Sequence, residues 1–291
     1  MRKPLIIFYA LTIYALAELF WWGVLLVRAV PDSKGMILGE GAVFIFLFVV
    51  GAYQLHKAIN KEYKFHKQQK NFLLSVTHEL KSPLASIKLY IETIIKRDLD
   101  KVHREAFLVN SLKDIERLDD LVENMLLATK IDNKSYSFPK EEFNLSKLVE
   151  KVADRLQVHS CKSQTINLAI DPEIYVKGDK FALTSVVTTL IENAVKYSPD
   201  CAEVNVHLKK KVDSIVLSVS DNGIGIADAE KSRIFDKFYR VGSEDTRKTK
   251  GTGLGLYIVK HVLDKHQATI KVKNNHPSGS IFEVTFNSNG N

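Results

Sequence analysis

Between Phe72 and Ile95 apolar residues fall on a seven-residue repeat. Leu73, Leu80, Ile87 and Ile94 hold one seam position, Val76, Pro83 and Tyr90 the other, and Leu84 and Ile91 widen the stripe. Such a repeat predicts a helix that buries one face against partner helices, as in a coiled coil or four-helix bundle. After a break near Arg97-Asp98, a second run (Leu108, Leu112, Ile115, Leu118, Val122, Met125) predicts an antiparallel partner. Seams this wide need more apolar surface than two helices offer each other, so a dimeric four-helix bundle is the expected assembly. Pro83, inside the first helix, is expected to kink it or loosen its hydrogen bonding.

Upstream the pattern is continuous rather than periodic. Leu5–Val27 carries one charge, Glu18, and Met36–Leu55 carries one, Glu40. Each is long enough to cross a bilayer at about 1.5 Å per residue. A cleaved signal peptide is the rival for the first run, but its apolar core is too long, no small-residue cleavage site closes it, and a second span follows. Between the spans, Arg28–Gly35 with its Pro31-Asp32 turn is too short for a sensor domain. Glu18 lies near mid-span, where a carboxylate costs roughly 2.5–3.5 kcal/mol. It is either functional or a protonated group bonded to a neighbouring helix. Glu40, near the outer boundary, can snorkel.

Downstream of a loop at Asp132–Lys140 the periods alternate. Helices are expected at Phe143–Leu156, Lys180–Tyr197 and Gly253–Lys265. Strands are expected at Thr165–Ile170, Ile174–Val176, Glu203–Val212, Ser214–Ser220, Ala268–Lys273 and Ser280–Phe286. Strands and helices interleave without a regular βαβ repeat, which predicts an α/β sandwich: a mixed sheet with helices on one face. The expected organisation is therefore multi-domain. Two transmembrane helices occupy 1–56, a basic helical linker 57–70, the all-α hairpin 71–132, and the α/β sandwich 141–288.

Charge refines this picture. The 291 residues carry a formal net charge of +7, which raises the question of nucleic acid. Yet Lys57, Lys61, Lys64, Lys67 and Lys70 crowd the segment just after the second apolar run, which points to membrane lipid and away from nucleic acid. Basic residues there and at Arg2 and Lys3 place both termini in the cytoplasm. Two cysteines, Cys161 and Cys201, form neither a disulfide framework nor a metal motif and suit a reducing compartment.

With Leu73 at the first heptad position, His78 falls opposite the seam. An imidazole thus stands in solvent, followed by the Glu79 carboxylate, with the Ser82 hydroxyl one turn further on. An exposed histidine alone carries no function, so the sandwich has to decide. The helix ending IENAVKYSP puts Asn193 and Lys196 on one face, an amide oxygen and an ammonium that could hold Mg²⁺ and phosphate. A strand runs into Asp221-Asn222-Gly223-Ile224-Gly225, where a carboxylate can accept from a base's exocyclic amine and glycines let backbone approach a flat ring. IFDKFYR, with Phe235 and Phe238, precedes the polar, basic stretch Ser243–Lys250. Then Gly251-Thr252-Gly253-Leu254-Gly255-Leu256 opens a helix whose amides can cradle phosphates. A dinucleotide fold is disfavoured, because this turn does not follow a first strand.

In this order the motifs resemble a membrane-bound sensor histidine kinase of a bacterial two-component system. THELKSPL is similar to the phosphoacceptor box, IENAVKYSP to the N box, DNGIG to the first glycine box, IFDKFYR to the F box and GTGLGL to the second. The likeness covers Phe72–Phe286. It implies a dimerisation and phosphoacceptor hairpin joined to the ATP-binding fold of gyrase-type and chaperone ATPases. It implies phosphorylation of His78 by ATP, with Glu79 as base and Mg²⁺ as cofactor. The phosphoryl group then passes to an aspartate of a response regulator, expected on a separate chain.

By the same resemblance Asn193 is the Mg²⁺ ligand, Lys196 a phosphate contact with Tyr197 beside it, and Asp221 the adenine reader with Gly223, Gly225 and Ile226 around it. Phe238, Arg240 and Lys250 belong to the F box and lid (Tyr239–Lys250). Gly251, Thr252, Gly253, Leu254, Gly255 and Leu256 frame the lid hinge and phosphate turn. The resemblance further implies a homodimer in the cytoplasmic (inner) membrane, multi-pass, with its catalytic part in the cytoplasm. Two departures stand out. Thr189 occupies a position where the N box often has Asn, and a hydroxyl is the poorer Mg²⁺ ligand. Ser82 replaces the Thr or Asn tied to phosphatase activity: either it orients a water less firmly, giving dominant kinase and weak phosphatase activity, or it merely precedes Pro83 as a local hydrogen-bonding residue. A membrane scaffold with a decayed ATP site is opposed by the intact Asp221, Asn193 and glycine motifs. A gyrase-type ATPase would have no use for His78-Glu79.

Overall fold

The computed structural model describes residues 3–29, 34–133, 137–159, 165–199, 203–241 and 251–287. The turn at Pro31-Asp32, both cysteines, Lys250 and most of the expected lid lie outside the described residues. The chain divides into two units, Met1–Gln68 and Gln69–Asn291.

The first unit holds helix α1 (Lys3–Ala29) and the start of α2 (Lys34–Lys96). Both helices are long and apolar enough to cross a membrane, by length and composition. Phe20, Trp21, Trp22, Phe44 and Phe46 are exposed along them. Glu18 accepts from the Tyr14 hydroxyl at 2.9 Å, a partner one turn away on its own helix rather than on a neighbouring one. Tyr9 on α1 reaches His56 on α2 at 3.1 Å, and His56 is bonded in turn to Asn60 at 2.7 Å.

In the second unit α2 continues without a break through Pro83 to Lys96. Proline has no N–H, so the Glu79 carbonyl, four residues back, loses its helical donor. Helix α3 (Lys101–Asp132) is capped by Asp100, whose side chain accepts from the His103 N–H. Tyr90 and Phe107 stack across the hairpin with ring centroids 5.3 Å apart. Val76 and Pro83 are buried. A second apolar stripe is not: Leu84, Ile91 and Ile95 on α2 and Leu112, Ile115, Val122 and Leu126 on α3 are all exposed.

The remaining chain forms strand β1 (Glu141–Asn144), helix α4 (Leu145–His159), strands β2 (Thr165–Ile170) and β3 (Tyr175–Gly178), and helix α5 (Lys180–Tyr197). Strands β4 (Glu203–Lys210) and β5 (Ser214–Ser220), helix α6 (Gly255–Lys265), and strands β6 (Ala268–Asn274) and β7 (Ser280–Asn287) complete it. The main sheet has the order β2-β4-β5-β7-β6, with β2–β4 parallel and the other pairs antiparallel. It is therefore mixed. Val206, Val219 and Phe282 lie in register on one face, as do Leu208, Leu217 and Val284, all buried. Helices α4, α5 and α6 pack on this sheet. Leu190 and Ile191 of α5 and Ile258 and Leu263 of α6 are fully buried, each stabilising the fold by about 1.5–3 kcal/mol.

One element departs from the sequence expectation. Phe143 does not start a helix; it sits on β1, paired antiparallel with Val176 of β3. Helix α4 begins two residues later, with the Asn144 side chain accepting from the Lys147 N–H at 2.9 Å.

Candidate functional site

Asp221 directly follows β5 and is 5% exposed. Its Oδ1 accepts from the Gly223 N–H at 2.8 Å and the Ser280 N–H at 3.2 Å. Burial pushes its pKa up, and these two donors pull it partly back. Its backbone is held too: its N–H donates to the Ser280 carbonyl at 2.9 Å, and its carbonyl accepts from Asn275 Nδ2 at 2.8 Å. Asn275 also bonds the Asn222 side chain at 3.0 Å. Gly279 lies against this corner with φ +110°, where an added Cβ would sit 1.9 Å from the Asp221 carbonyl oxygen. The β6–β7 turn therefore builds half of the Asp221 corner. Sequence reasoning missed Asn275 and Gly279; the Asn-Asn-His-Pro-Ser-Gly run marks only a turn.

On α5, Asn193 is half-buried, and Lys196 and Tyr197 are exposed. A Cβ at Gly251 would lie 2.8 Å from Lys196 Nζ, so the α5 ammonium and the glycine-rich turn are brought together. Gly223 packs on the end of the same helix, where a Cβ would lie 2.3 Å from the Tyr197 carbonyl oxygen. The DNGIG turn, the end of α5 and the start of α6 thus surround one face, able to offer a buried acceptor, an amide oxygen and an ammonium to a nucleotide. Ile226 is half-buried and packs on the core. Gly225 lies with φ +69° against the Gly279 backbone.

The second glycine box divides its labour. Gly253, at φ +74°, has Phe238 and Tyr239 backbone within 3.0 Å of where a Cβ would stand. Thr252 Oγ1 accepts from the Leu254 N–H at 3.4 Å. Leu254 is 2% exposed; its side chain belongs to the core, not to a ligand surface. Leu256 also packs against the core. A Cβ at Gly255 would lie 2.8 Å from Thr189 Cγ2, and Thr189 is 8% exposed. Thr189 therefore serves α5–α6 packing rather than standing as an exposed oxygen ligand.

Among the described residues no three His, Cys, Asp or Glu side chains cluster to hold a metal ion. Mg²⁺ takes oxygen ligands and commonly keeps waters and substrate phosphates. Asn193 fits as its protein ligand.

Phe238 does not face the nucleotide corner with its ring. It adopts φ +65°, its N–H donates to the Gly253 carbonyl at 3.1 Å, and its ring lies tilted against Phe72 of α2 with centroids 4.3 Å apart. Lys237 bonds Asp132 at the end of α3, which also accepts from the Tyr257 hydroxyl at 2.7 Å. Burial and the Asp132 carboxylate push the Tyr257 pKa far up. Tyr239 bonds Glu230, and Arg233 lies 4.5 Å over its ring. Arg240 is half-buried.

His78 is exposed on α2, as is Ser82, whose carbonyl accepts from Ser86 Oγ at 3.3 Å. Glu79 differs from the expectation of a solvent-facing pair. Its side chain is 11% exposed and bonded to Arg117 Nη2 of α3 at 2.8 Å. On α5, Glu192 is open to solvent along one side and crowded by protein elsewhere. That crowding, and then the Asp120 carboxylate, raises its pKa against the pull of Arg155, Lys196 and Arg117.

An exposed histidine on a helical hairpin, followed by a mixed α/β sandwich with a buried carboxylate and a glycine-rich turn, defines a class: a phosphoacceptor hairpin joined to a gyrase-type nucleotide-binding domain. The family model for the His Kinase A (phospho-acceptor) domain matches residues 68–134. That for the histidine kinase-, DNA gyrase B- and HSP90-like ATPase matches residues 178–289. The chain is similar to the sensor histidine kinase WalK of Bacillus subtilis, 31% identical over 234 residues, covering 78% of this chain and 38% of that protein. It is similar also to the phosphate regulon sensor protein PhoR of Pseudomonas aeruginosa, 31% identical over 234 residues, covering 80% of this chain and 53% of that one. It thus spans roughly two fifths to one half of these relatives. Among solved structures, full-length ShkA in complex with AMPPNP shares the fold, with a TM-score of 0.51 and 20% identity over 74% of this chain and 45% of that one. Histidine kinase ThkA in complex with the response regulator TrrA does so with a TM-score of 0.50 and 20% identity, over 79% and 66%. The chain belongs to the sensor histidine kinases of bacterial two-component systems.

Proposed function

We propose that the chain is an ATP-dependent histidine autokinase that phosphorylates His78 and passes the phosphoryl group to an aspartate of a separate response regulator. The observation that carries this reading is the pairing, in one unit, of an exposed His78 with the buried Asp221 corner. Asp221 accepts from the adenine amine, and Lys196 meets the phosphates near Gly251. Asn193 holds Mg²⁺, which neutralises phosphate charge when bound. One ring nitrogen of His78 attacks the γ-phosphorus in line while the bond to ADP breaks, and Glu79 takes the proton of the other nitrogen.

The exposed apolar stripe on α2 and α3 supports a dimeric four-helix bundle, since a second copy would cover it. The two apolar helices support a multi-pass protein of the cytoplasmic membrane with its kinase domain inside. The short Arg28–Gly35 connection favours input through the membrane. Labelling of single cysteines at Asp32 and Lys57 by an impermeant reagent on intact cells tests the topology; equal reaction at both would sink it.

The direct test is incubation of the full chain in detergent micelles with γ-labelled ATP. Label that is acid-labile and lost in His78→Gln, with nucleotide binding retained, is expected. Label persisting in that variant, on His103 or His159, would overturn the assignment.

A further inference from the structure

Glu79 follows His78 in sequence, and one oxygen of its carboxylate is held by the other helix of the hairpin. On the heptad it borders the seam, and its carboxylate reaches across the hairpin to α3, where Arg117 Nη2 donates to Oε2 at 2.8 Å. With its side chain 11% exposed, Glu79 is nearly buried by this arrangement, whereas Arg117 is 55% exposed. A carboxylate presents two oxygens, each able to accept more than one hydrogen bond. The contact with Arg117 occupies Oε2. Oε1 is the oxygen not used by that pair.

Arg117 also lies in the field of α5. Its positive charge acts on Glu192, beside Asn193. One turn along α3, Asp120 Oδ1 pairs with Arg155 Nη1 of α4 at 3.8 Å. The face of α3 bearing Arg117 and Asp120 therefore stands between the phosphoacceptor helix and the helix carrying the N box. Were Arg117 only a structural tie, a half-exposed ion pair of this kind would contribute about 0.2–1 kcal/mol. That is little return for sequestering the one carboxylate adjacent to His78.

We infer that Arg117 is a positioning residue for phosphorylation of His78: it pins Oε2 of Glu79 so that Oε1 is the oxygen left to meet the ring N–H of His78. This rests on the autokinase reading above. In the step, the unprotonated His78 nitrogen forms the N–P bond as the bond from the γ-phosphorus to the ADP oxygen breaks. The ring thereby becomes cationic, its remaining proton moves to Oε1 of Glu79, and Glu79 releases it to water. Arg117 takes no proton. Its contribution is orientation, and losing it is worth roughly tenfold in rate.

The test uses the full chain in detergent micelles with ATP. Single-turnover labelling of His78 is followed against ATP concentration for wild type, Arg117→Met, Arg117→Lys, Glu79→Gln and the double variant Glu79→Gln/Arg117→Met. Arg117→Met is expected to lower the maximal rate about tenfold, with the half-saturating ATP concentration within about twofold of wild type. Arg117→Lys restores most of the rate, because the contact is a single N–H···O bond that an ammonium can make. In the Glu79→Gln background, Arg117→Met adds no further loss. Arg117→Met at the wild-type rate, a gain in rate, or losses that multiply in the double variant would each overturn the inference while leaving the autokinase reading intact. A wild-type chain that takes up no label on His78 would overturn that reading and this inference with it. Thermal melting of Arg117→Met within a few degrees of wild type is expected from the small value of the pair, and separates orientation from unfolding.

Discussion

Replacing Asp221 by Asn and by Ala should separate two roles that the same carboxylate holds. Its Oδ1 is committed to the protein, accepting from the Gly223 and Ser280 N–H groups at 2.8 and 3.2 Å. Oδ2 is the atom left for a ligand. An asparagine can keep its carbonyl oxygen where Oδ1 stands, which satisfies both backbone donors. Its amide NH₂ then occupies the place of Oδ2 and confronts the adenine amine donor to donor. A hydrogen bond to a charged acceptor is worth about 1.5–3 kcal/mol. At 1.4 kcal/mol per decade, ATP should bind roughly 10- to 150-fold more weakly to Asp221→Asn.

The fold should not suffer from that change. Because burial raises the Asp221 pKa, the folded chain binds the Asp221 proton more tightly than the unfolded chain does. The stabilisation is complete below the unfolded value of about 3.9 and is lost as pH rises through the folded value. Asparagine is neutral at every pH, so at neutral pH the nucleotide-free Asn variant should melt no lower than wild type. Alanine instead leaves two buried N–H groups unpaired, at about 1–3 kcal/mol each, and should lower the melting temperature by several degrees. Calorimetric titration with ATP and thermal melts of the full chain measure both effects. An Asn variant that is folded yet binds ATP with unchanged affinity would refute Asp221 as the adenine acceptor.

Gly279→Ala puts a methyl 1.9 Å from the Asp221 carbonyl oxygen at φ +110°. It should cost more than about 2 kcal/mol and abolish nucleotide binding; a melt and a titration matching wild type would show that the turn yields freely. His266 Nδ1 donates to the Val262 carbonyl at 2.7 Å and Nε2 accepts from the Asp179 N–H at 2.9 Å, so the ring is neutral, and burial lowers its pKa. Its contribution is full above about pH 6.5 and is lost as pH falls toward the folded value; melts at pH 7.5 and 5.5 should differ less in His266→Gln than in wild type, and an identical difference in both removes His266 as the cause. If Ser82 holds the water for hydrolysis of a regulator's aspartyl phosphate, as the resemblance implies, a hydroxyl without threonine's methyl group orients it less firmly. Decay of a phosphorylated regulator should be slower with Ser82→Ala and faster with Ser82→Thr than with wild type, and three equal rates would exclude it.

What could be read from sequence were features with a local cause. The heptads gave the hairpin helices, the alternating runs gave the strands of the main sheet, and the glycine boxes marked where backbone comes close. Strand β1 was not legible, because Glu141–Asn144 is a strand only by pairing with β3, about thirty residues on. Asn275 and Gly279 were missed for the same reason, since their partner Asp221 lies more than fifty residues earlier. Phe238 and Leu254 sit inside boxes that resemble nucleotide-binding ones, yet the Phe238 ring meets Phe72 of the hairpin and the Leu254 side chain lies in the core, neither of which the boxes disclose. Thr189 looked like a weakened metal ligand, whereas its methyl group fills the space that Gly255 leaves.

The position of Phe238 ties these observations together. Its backbone is bonded to Gly253, in the glycine-rich turn, while its ring lies against Phe72 and its neighbour Lys237 grips Asp132. Tyr257, two residues into α6, bonds the same Asp132. Both hairpin helices thus hold the segment around Phe238, one by a ring contact and one by charge. Asn124 of α3 adds a third point, accepting from Ser185 of α5 at 2.9 Å. Phe72 lies six residues before His78 on the same helix, so the glycine-rich turn is joined through Phe238 to the helix that carries the phosphoacceptor.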